Sequence, residues 1–116
     1  MTQPPLKLAD DHIEIRPQEG SVLVDNRPVS LTRKEFELLA TLAANEGEIV
    51  HRTFLLQDIW GYGEDVRTRT LDVDIRRLRR KLENYGDAYI ETVFGVGYRF
   101  KKFTGPATFR SFVTAA

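Results

Sequence analysis

The stretch from Arg69 to Glu83, RTLDVDIRRLRRKLE, constrains the fold most, because only one of its sides can be buried. Leu71, Ile75, Leu78 and Leu82 recur at i, i+4, i+7 and i+11, the spacing of a single apolar stripe on an α-helix. At about 100° per residue, Arg69, Val73, Arg76, Arg77 and Arg80 gather on the opposite side. From Arg67 to Lys81 there are seven basic residues against two acidic ones, Asp72 and Asp74, in a chain whose 17 Lys and Arg balance 17 Asp and Glu. A solvated face is the ordinary explanation of such a charge run. Two residue choices point elsewhere. All but one of the bases are arginine, whose guanidinium forks onto guanine or phosphate, whereas a solubilising face mixes Lys with Glu. Val73 also sits in the middle of the arginine face, where water gives it nothing and a thymine methyl in a major groove would.

A chain of 116 residues makes one domain with a single core. With no cysteine, disulfides and thiolate zinc sites are excluded, and His12 and His51 lie in no metal-ligand spacing, so neither a metal nor a cofactor is expected. No apolar run approaches a membrane span, and the opening MTQPPLK lacks the apolar core of a signal peptide, which predicts a cytoplasmic protein without membrane contact. Zero net charge argues against a nucleic-acid binder only if charge is spread evenly. Here acid concentrates in Asp10, Asp11, Glu14 and Glu19, and base in one helix.

In chain order, residues 1–5 read as a loose lead-in, 6–102 as the domain and 103–116 as a tail. Short β-rich runs at Leu6–Ala9, His12–Arg16, Ser21–Val24 and Pro28–Leu31 predict an antiparallel sheet of three or four strands, with Asp25-Asn26 as a tight turn. Thr32 with Glu35 fits a capping box opening a helix, whose inward stripe is Phe36, Leu39, Ala40 and Ala43, broadened by Leu38 and Leu42, and whose C-cap is Gly47. Ile49–His51 reads as an extended link. Thr53 is expected to cap a short helix stopped by Gly61, followed by a polar loop, Gly61 to Arg67. Gly86 is the expected C-cap of the arginine helix, and Ile90–Phe94 and Tyr98–Phe103 are strands joined by Gly95-Val96-Gly97. In the tail, Phe109, Phe112 and Val113 either pack on the sheet or another protomer, or add nothing to the fold.

Two helices followed by a hairpin describe a helix-turn-helix with a wing: the second helix stands proud to enter a groove about 12 Å wide while the first braces it. The hairpin beside it reaches the neighbouring groove or phosphates. A clustered arginine face could equally dock an acidic protein, which is the alternative reading. An enzyme is not supported: Gly61-Tyr62-Gly63 is no phosphate loop, and there is no Cys nucleophile, paired His or nucleophile-elbow serine.

The segments VSLTRKEFELLATLAANEGEIVHRTFLL, DIWG, RTLDVDIRRLRRKLE and IETVFGVGYRF together resemble the winged-helix effector domain of OmpR/PhoB-type response regulators, over roughly residues 7 to 101. The resemblance implies an α+β fold: a winged helix-turn-helix with an N-terminal four-stranded antiparallel sheet, three helices and a C-terminal β-hairpin wing. It implies a transcription factor of a bacterial two-component system that binds direct-repeat half-sites in double-stranded DNA as a head-to-tail dimer, monomeric when alone. A sensor kinase would act upstream through a receiver domain; there is no room for one before Leu6, so this is an excised effector or a stand-alone member. Carried over residue by residue, Arg69, Val73, Asp74, Arg76, Arg77 and Arg80 take the groove-facing positions, and Trp60, Thr92 and Tyr98 touch phosphate or sugar. Gly61, Tyr62, Gly63, Glu64, Asp65, Val66 and Arg67 match the loop that meets RNA polymerase.

Two positions depart from the family pattern. Asp74 stands where His is common; beside phosphate its carboxylate must accept from a cytosine amino group or pair with Arg77. Phe94 stands where many members carry a wing-tip Arg, which predicts a weaker or purely steric wing contact and a smaller dependence on salt. Arg79 and Lys81 are left as flank residues, either plain surface charges or contacts, and Asp72 is expected to serve the helix start electrostatically.

Overall fold

Alternation decides the first sheet. In β2 (Ile13–Arg16) and β3 (Ser21–Val24), Ile13, Ile15, Val22 and Val24 are buried while Glu14, Arg16, Ser21 and Leu23 are partly exposed. The computed structural model describes residues 8–9, 12–63 and 68–102. β1 (Leu8–Ala9) and β4 (Arg27–Val29) complete a four-stranded antiparallel sheet in the order β1-β2-β3-β4. Register pairs Ile13 with Val24 and Ile15 with Val22, which puts the apolar side chains on one face. Asp25 and Asn26 both have positive φ, 51° and 65°, as a two-residue hairpin turn requires.

α1 (Arg33–Ala44) opens on the expected capping box: the Glu35 amide donates to Thr32 Oγ1 at 3.1 Å, and the Thr32 amide donates to Glu35 Oε1 at 2.9 Å. Its buried face is Leu38, Leu39, Leu42 and Ala43, with Phe36 and Ala40 only half-buried. The predicted stripe is therefore rotated, because α1 packs against α3 on one flank. The C-cap is Asn45, whose side-chain amide donates to Thr41 O, not Gly47. Gly47 comes two residues later, at φ 88°.

β5 (Ile49–His51) is more than a link. It pairs with β7 (Gly97–Phe100), which also pairs with β6 (Ile90–Val93), so the wing belongs to a three-stranded sheet of order β5-β7-β6. α2 (Arg52–Leu55) starts without a side-chain cap, and Thr53 lies inside it. The helix start is instead tied to the wing, where the Arg52 amide donates to Val96 O at 3.0 Å. One π-turn, Leu56–Trp60, continues α2 to Gly61, which ends it in the left-handed region at φ 74°.

The arginine-rich helix, α3, runs Thr70–Lys81, and its stripe is wholly interior: Leu71, Ile75, Leu78 and the following Leu82 are at most 1% exposed. Burial of such residues contributes on the order of 2 kcal/mol each. A 3₁₀ turn, Glu83–Tyr85, and a short α4 (Gly86–Tyr89) follow, adding a fourth helix to the three expected. Gly86 does not cap α3, which ends on Leu82: it follows the 3₁₀ turn in a right-handed conformation at φ −55°, and Glu83 takes the positive φ instead. Gly86 is needed for another reason, since a Cβ there would overlap the Arg79 carbonyl. The last strand stops at Phe100 rather than Phe103. The lead-in, Leu6-Lys7, Glu64 to Arg67 and the tail lie outside the described residues.

Candidate nucleic-acid interface

Because the leucine stripe is locked inside, the opposite side of α3 must face out. Arg69, Arg76, Arg77 and Arg80 are all exposed, and Val73 is half-buried among them. Thr68 secures the start of the helix: its hydroxyl accepts from the Thr70 amide at 3.1 Å. Arg79, Arg80 and Lys81 in the last turn suit the negative end of the helix dipole.

Arg79 departs from the rest. Its guanidinium turns back onto β6, donating to Ile90 O from Nε at 3.2 Å and from Nη2 at 2.8 Å, and to Thr92 Oγ1 at 2.7 Å. It also lies 5.8 Å from the centre of the Tyr98 ring. It is therefore a strut between the helix and the wing, neither a plain surface charge nor an outward contact. Lys81 is likewise engaged, donating to the buried Glu35 at 2.7 Å. Burial raises the Glu35 carboxyl, but the bonds from Lys81 and Thr32 outweigh it and leave the group below its usual range.

Asp72 does more than serve the helix start. Arg52 of α2 grips it with two bonds, 2.6 and 3.0 Å, and the Tyr98 hydroxyl of β7 donates to it at 2.5 Å. One carboxylate thus joins both helices of the pair to the wing. The Arg52 bonds hold Asp72 below its usual range against the burial that raises it, with Tyr98 adding to the lowering. Burial, then the bond to Asp72, pushes the Tyr98 hydroxyl up to about 12.

Asp74 points away from open solvent, with 14% of its side chain exposed and Arg77 at 3.8 Å, the pairing that the sequence left as one of two options. Burial, then the nearby charge of Glu35, raises its carboxyl. A cleft of about 670 Å³ separates α3 from the wing and brings together Arg76, Arg80, Thr92, Phe94 and Tyr98. Arg69, Val73, Asp74 and Arg77 lie along α3 outside this cleft, and so does Trp60, which packs partly buried against the core with Lys34 over its ring at 5.7 Å. Residues 26–100 match the family described as "Transcriptional regulatory protein, C terminal".

The chain belongs to the OmpR/PhoB-type response regulators, as their C-terminal winged-helix DNA-binding domain.

Among curated relatives of this effector domain, the transcriptional regulatory protein HprR of Escherichia coli is 48% identical over 81 residues, which is 69% of this chain and 36% of the relative. SrrA of Staphylococcus aureus is 41% identical over 93 residues, which is 78% of this chain and 39% of the relative. The chain thus spans little more than a third of these proteins. Among solved structures, the RstA DNA-binding domain of Klebsiella pneumoniae, crystallised with the RstA box, superposes with a TM-score of 0.74 at 34% identity, covering 82% of this chain and 96% of that one. The CpxR DNA-binding domain of E. coli gives 0.75 at 30% identity, covering 84% and 97%.

In this effector domain spacing alone gave no role to Arg52 and did not reveal what Asp72 and Arg79 bind. Their partners lie 20, 26 and 13 residues away, on other elements, where no local pattern could reveal them. Asp72→Asn should destabilise the fold by about 1 kcal/mol at pH 7, since a partly exposed pair is screened by water. The carboxyl's folded value lies below its ordinary 3.8, so its contribution is present above that pH and disappears as pH falls through the lower folded value. Urea titrations of wild type and variant should therefore differ at pH 7 and draw together only as pH falls through the lowered folded value of Asp72; a gap that does not change with pH would refute the ion-pair account.

Proposed function

We propose that this effector domain reads double-stranded DNA with α3 in the major groove, one protomer per half-site of a direct repeat, head to tail. It is a monomer alone and a dimer on DNA. The observation that carries this is the flank of Arg69, Arg76, Arg77 and Arg80, all outward on a helix whose other side is sealed in the core. Arg76 and Arg77 supply guanine or phosphate forks, Val73 meets a thymine methyl, and Arg69 and Arg80 anchor the backbone at the two ends of the helix. Thr92 and Tyr98 border the phosphate path through the cleft. Their hydroxyls already serve Arg79 and Asp72, so each acts mainly by holding the wing. Trp60 flanks the duplex from α2.

In the whole protein a receiver domain and a sensor kinase act upstream, and the segment from Gly61 to Arg67 meets RNA polymerase, in the cytoplasm where the DNA lies. Among the described residues no helix is long and apolar enough to cross a membrane. Selection from random duplexes should return a repeated half-site. Affinity for that site should fall steeply with salt, with a logarithmic slope of about −0.9 per phosphate neutralised, or roughly −3 to −4 if Arg69, Arg76 and Arg80 and one further cation touch phosphate. A chain that ignores every duplex at about 50 mM salt, and instead binds an acidic protein, would replace this reading with a protein-docking one.

A further inference from the structure

We infer that Phe94 is a wedge that enters the minor groove beside the half-site and unstacks one base step, so that this domain reads the flexibility of its flanking DNA. The inference rests on the reading of α3 as the groove-reading helix. Phe94 is 88% exposed at the tip of the hairpin; the other exposed large apolar residues among those described, Phe54 and Ile49, are 48% and 38% exposed and lie on α2 and β5. The turn from Val93 to Gly97 carries no charged side chain, so its tip offers phosphate nothing but backbone amides. The Val96 amide is already spent on Val93 O, at 2.9 Å.

The tip is also firmly mounted. Val96 O accepts from the Arg52 amide at 3.0 Å, and Gly97 packs so closely on β5 that a Cβ would overlap the Val50 carbonyl. Arg79 ties the adjoining strand to α3 through Ile90 O and Thr92. Phe94 is thus held on a rigid arm rather than a free loop. It borders the same cleft as Arg76 and Arg80, which puts it on the flank of any duplex seated on α3 across that cleft. With α3 in the major groove, the next groove along the duplex is the minor one, and an apolar ring there has two places to go, the sugar wall or the base stack. Phenylalanine inserted between base pairs kinks duplexes, at least cost where pyrimidine–purine steps are already easily unstacked.

The test uses this 116-residue chain and the site returned by selection, with 2-aminopurine placed in turn at each flanking step. Wild type should raise fluorescence severalfold at a single step. Phe94→Ala should abolish that rise and lose about tenfold in affinity when the step is TA or CA, but less than about twofold when it is AA. Phe94→Leu should keep most of the signal. Phe94→Arg should lose the signal and steepen the salt slope by about one. Because the side chain is exposed, these variants keep the fold, which circular dichroism verifies. Sequence-selective binding with no fluorescence change at any step overturns the wedge alone. A loss in Phe94→Ala confined to cooperative filling of paired half-sites also overturns it, since Phe94 would then pack on the neighbouring protomer. Failure to bind any duplex overturns the wedge together with the reading it rests on.

Discussion

Arg77→Ala is expected to weaken binding to the preferred site by about 1–3 kcal/mol and to relax selection at one base position, while Arg80→Ala weakens binding to all sequences alike. The contrast follows from position. Arg77 leaves α3 outside the cleft with 61% of its side chain exposed, and Asp74 at 3.8 Å steers it rather than consuming it. A guanidinium so placed keeps both prongs for a base edge. Arg80 is exposed in the last turn and borders the cleft, through which we propose the duplex backbone runs. Binding curves on the selected site and on random duplex separate the two roles. Equal losses on both DNAs for both variants would contradict the assignment.

Gly97→Ala is expected to cost about 3 kcal/mol of stability, at the upper end of what overpacking does. A Cβ at this position would collide with backbone of Val50 and His51, which cannot swing aside as a side chain would. Gly97 opposes His51 in the register of β5 and β7, so the collision pries apart the sheet that carries the wing. Gly95, two residues earlier, has nothing within 4 Å of its would-be Cβ but sits at φ 78°. Gly95→Ala should therefore cost only the left-handed penalty of about 1 kcal/mol. Urea denaturation of the two variants measures the difference. A Gly97→Ala protein as stable as wild type would show that β5 does not press on the wing.

These two glycines illustrate how unevenly the fold could be read. Their spacing signals a hairpin, and a hairpin is present, but nothing local says that one glycine serves backbone handedness and the other a close approach of a third strand. The same limit explains β5. Ile49-Val50-His51 is too short to declare itself, and its partner strand lies almost fifty residues on, at Gly97–Phe100. Gly86 failed as a C-cap because the helix ends on Leu82 and Glu83, and the glycine is there for Arg79. By contrast, the capping box of Thr32 and Glu35 was legible because both halves lie within one turn of helix, where sequence spacing and spatial distance are the same thing. The candidate site divides the same way. Exposure of Arg69, Arg76, Arg77 and Arg80 follows from helical period once Leu71, Ile75, Leu78 and Leu82 must be inside. The inward turn of Arg79 does not, since its place between the two faces lets it go either way until β6 supplies the carbonyl of Ile90 and the hydroxyl of Thr92.

By itself, the amino-acid order determined which residues of α3 are hidden and which are shown, where α1 begins, and the tight turn at Asp25-Asn26, because each depends on neighbours a few residues apart and on a fixed helical or strand period. Tertiary structure alone decided that Asp72 gathers Arg52 and Tyr98, that Arg79 braces the wing, and that β5 joins the hairpin. Those contacts are chosen by packing between distant segments, and a polar side chain takes whichever partner the completed core leaves within reach.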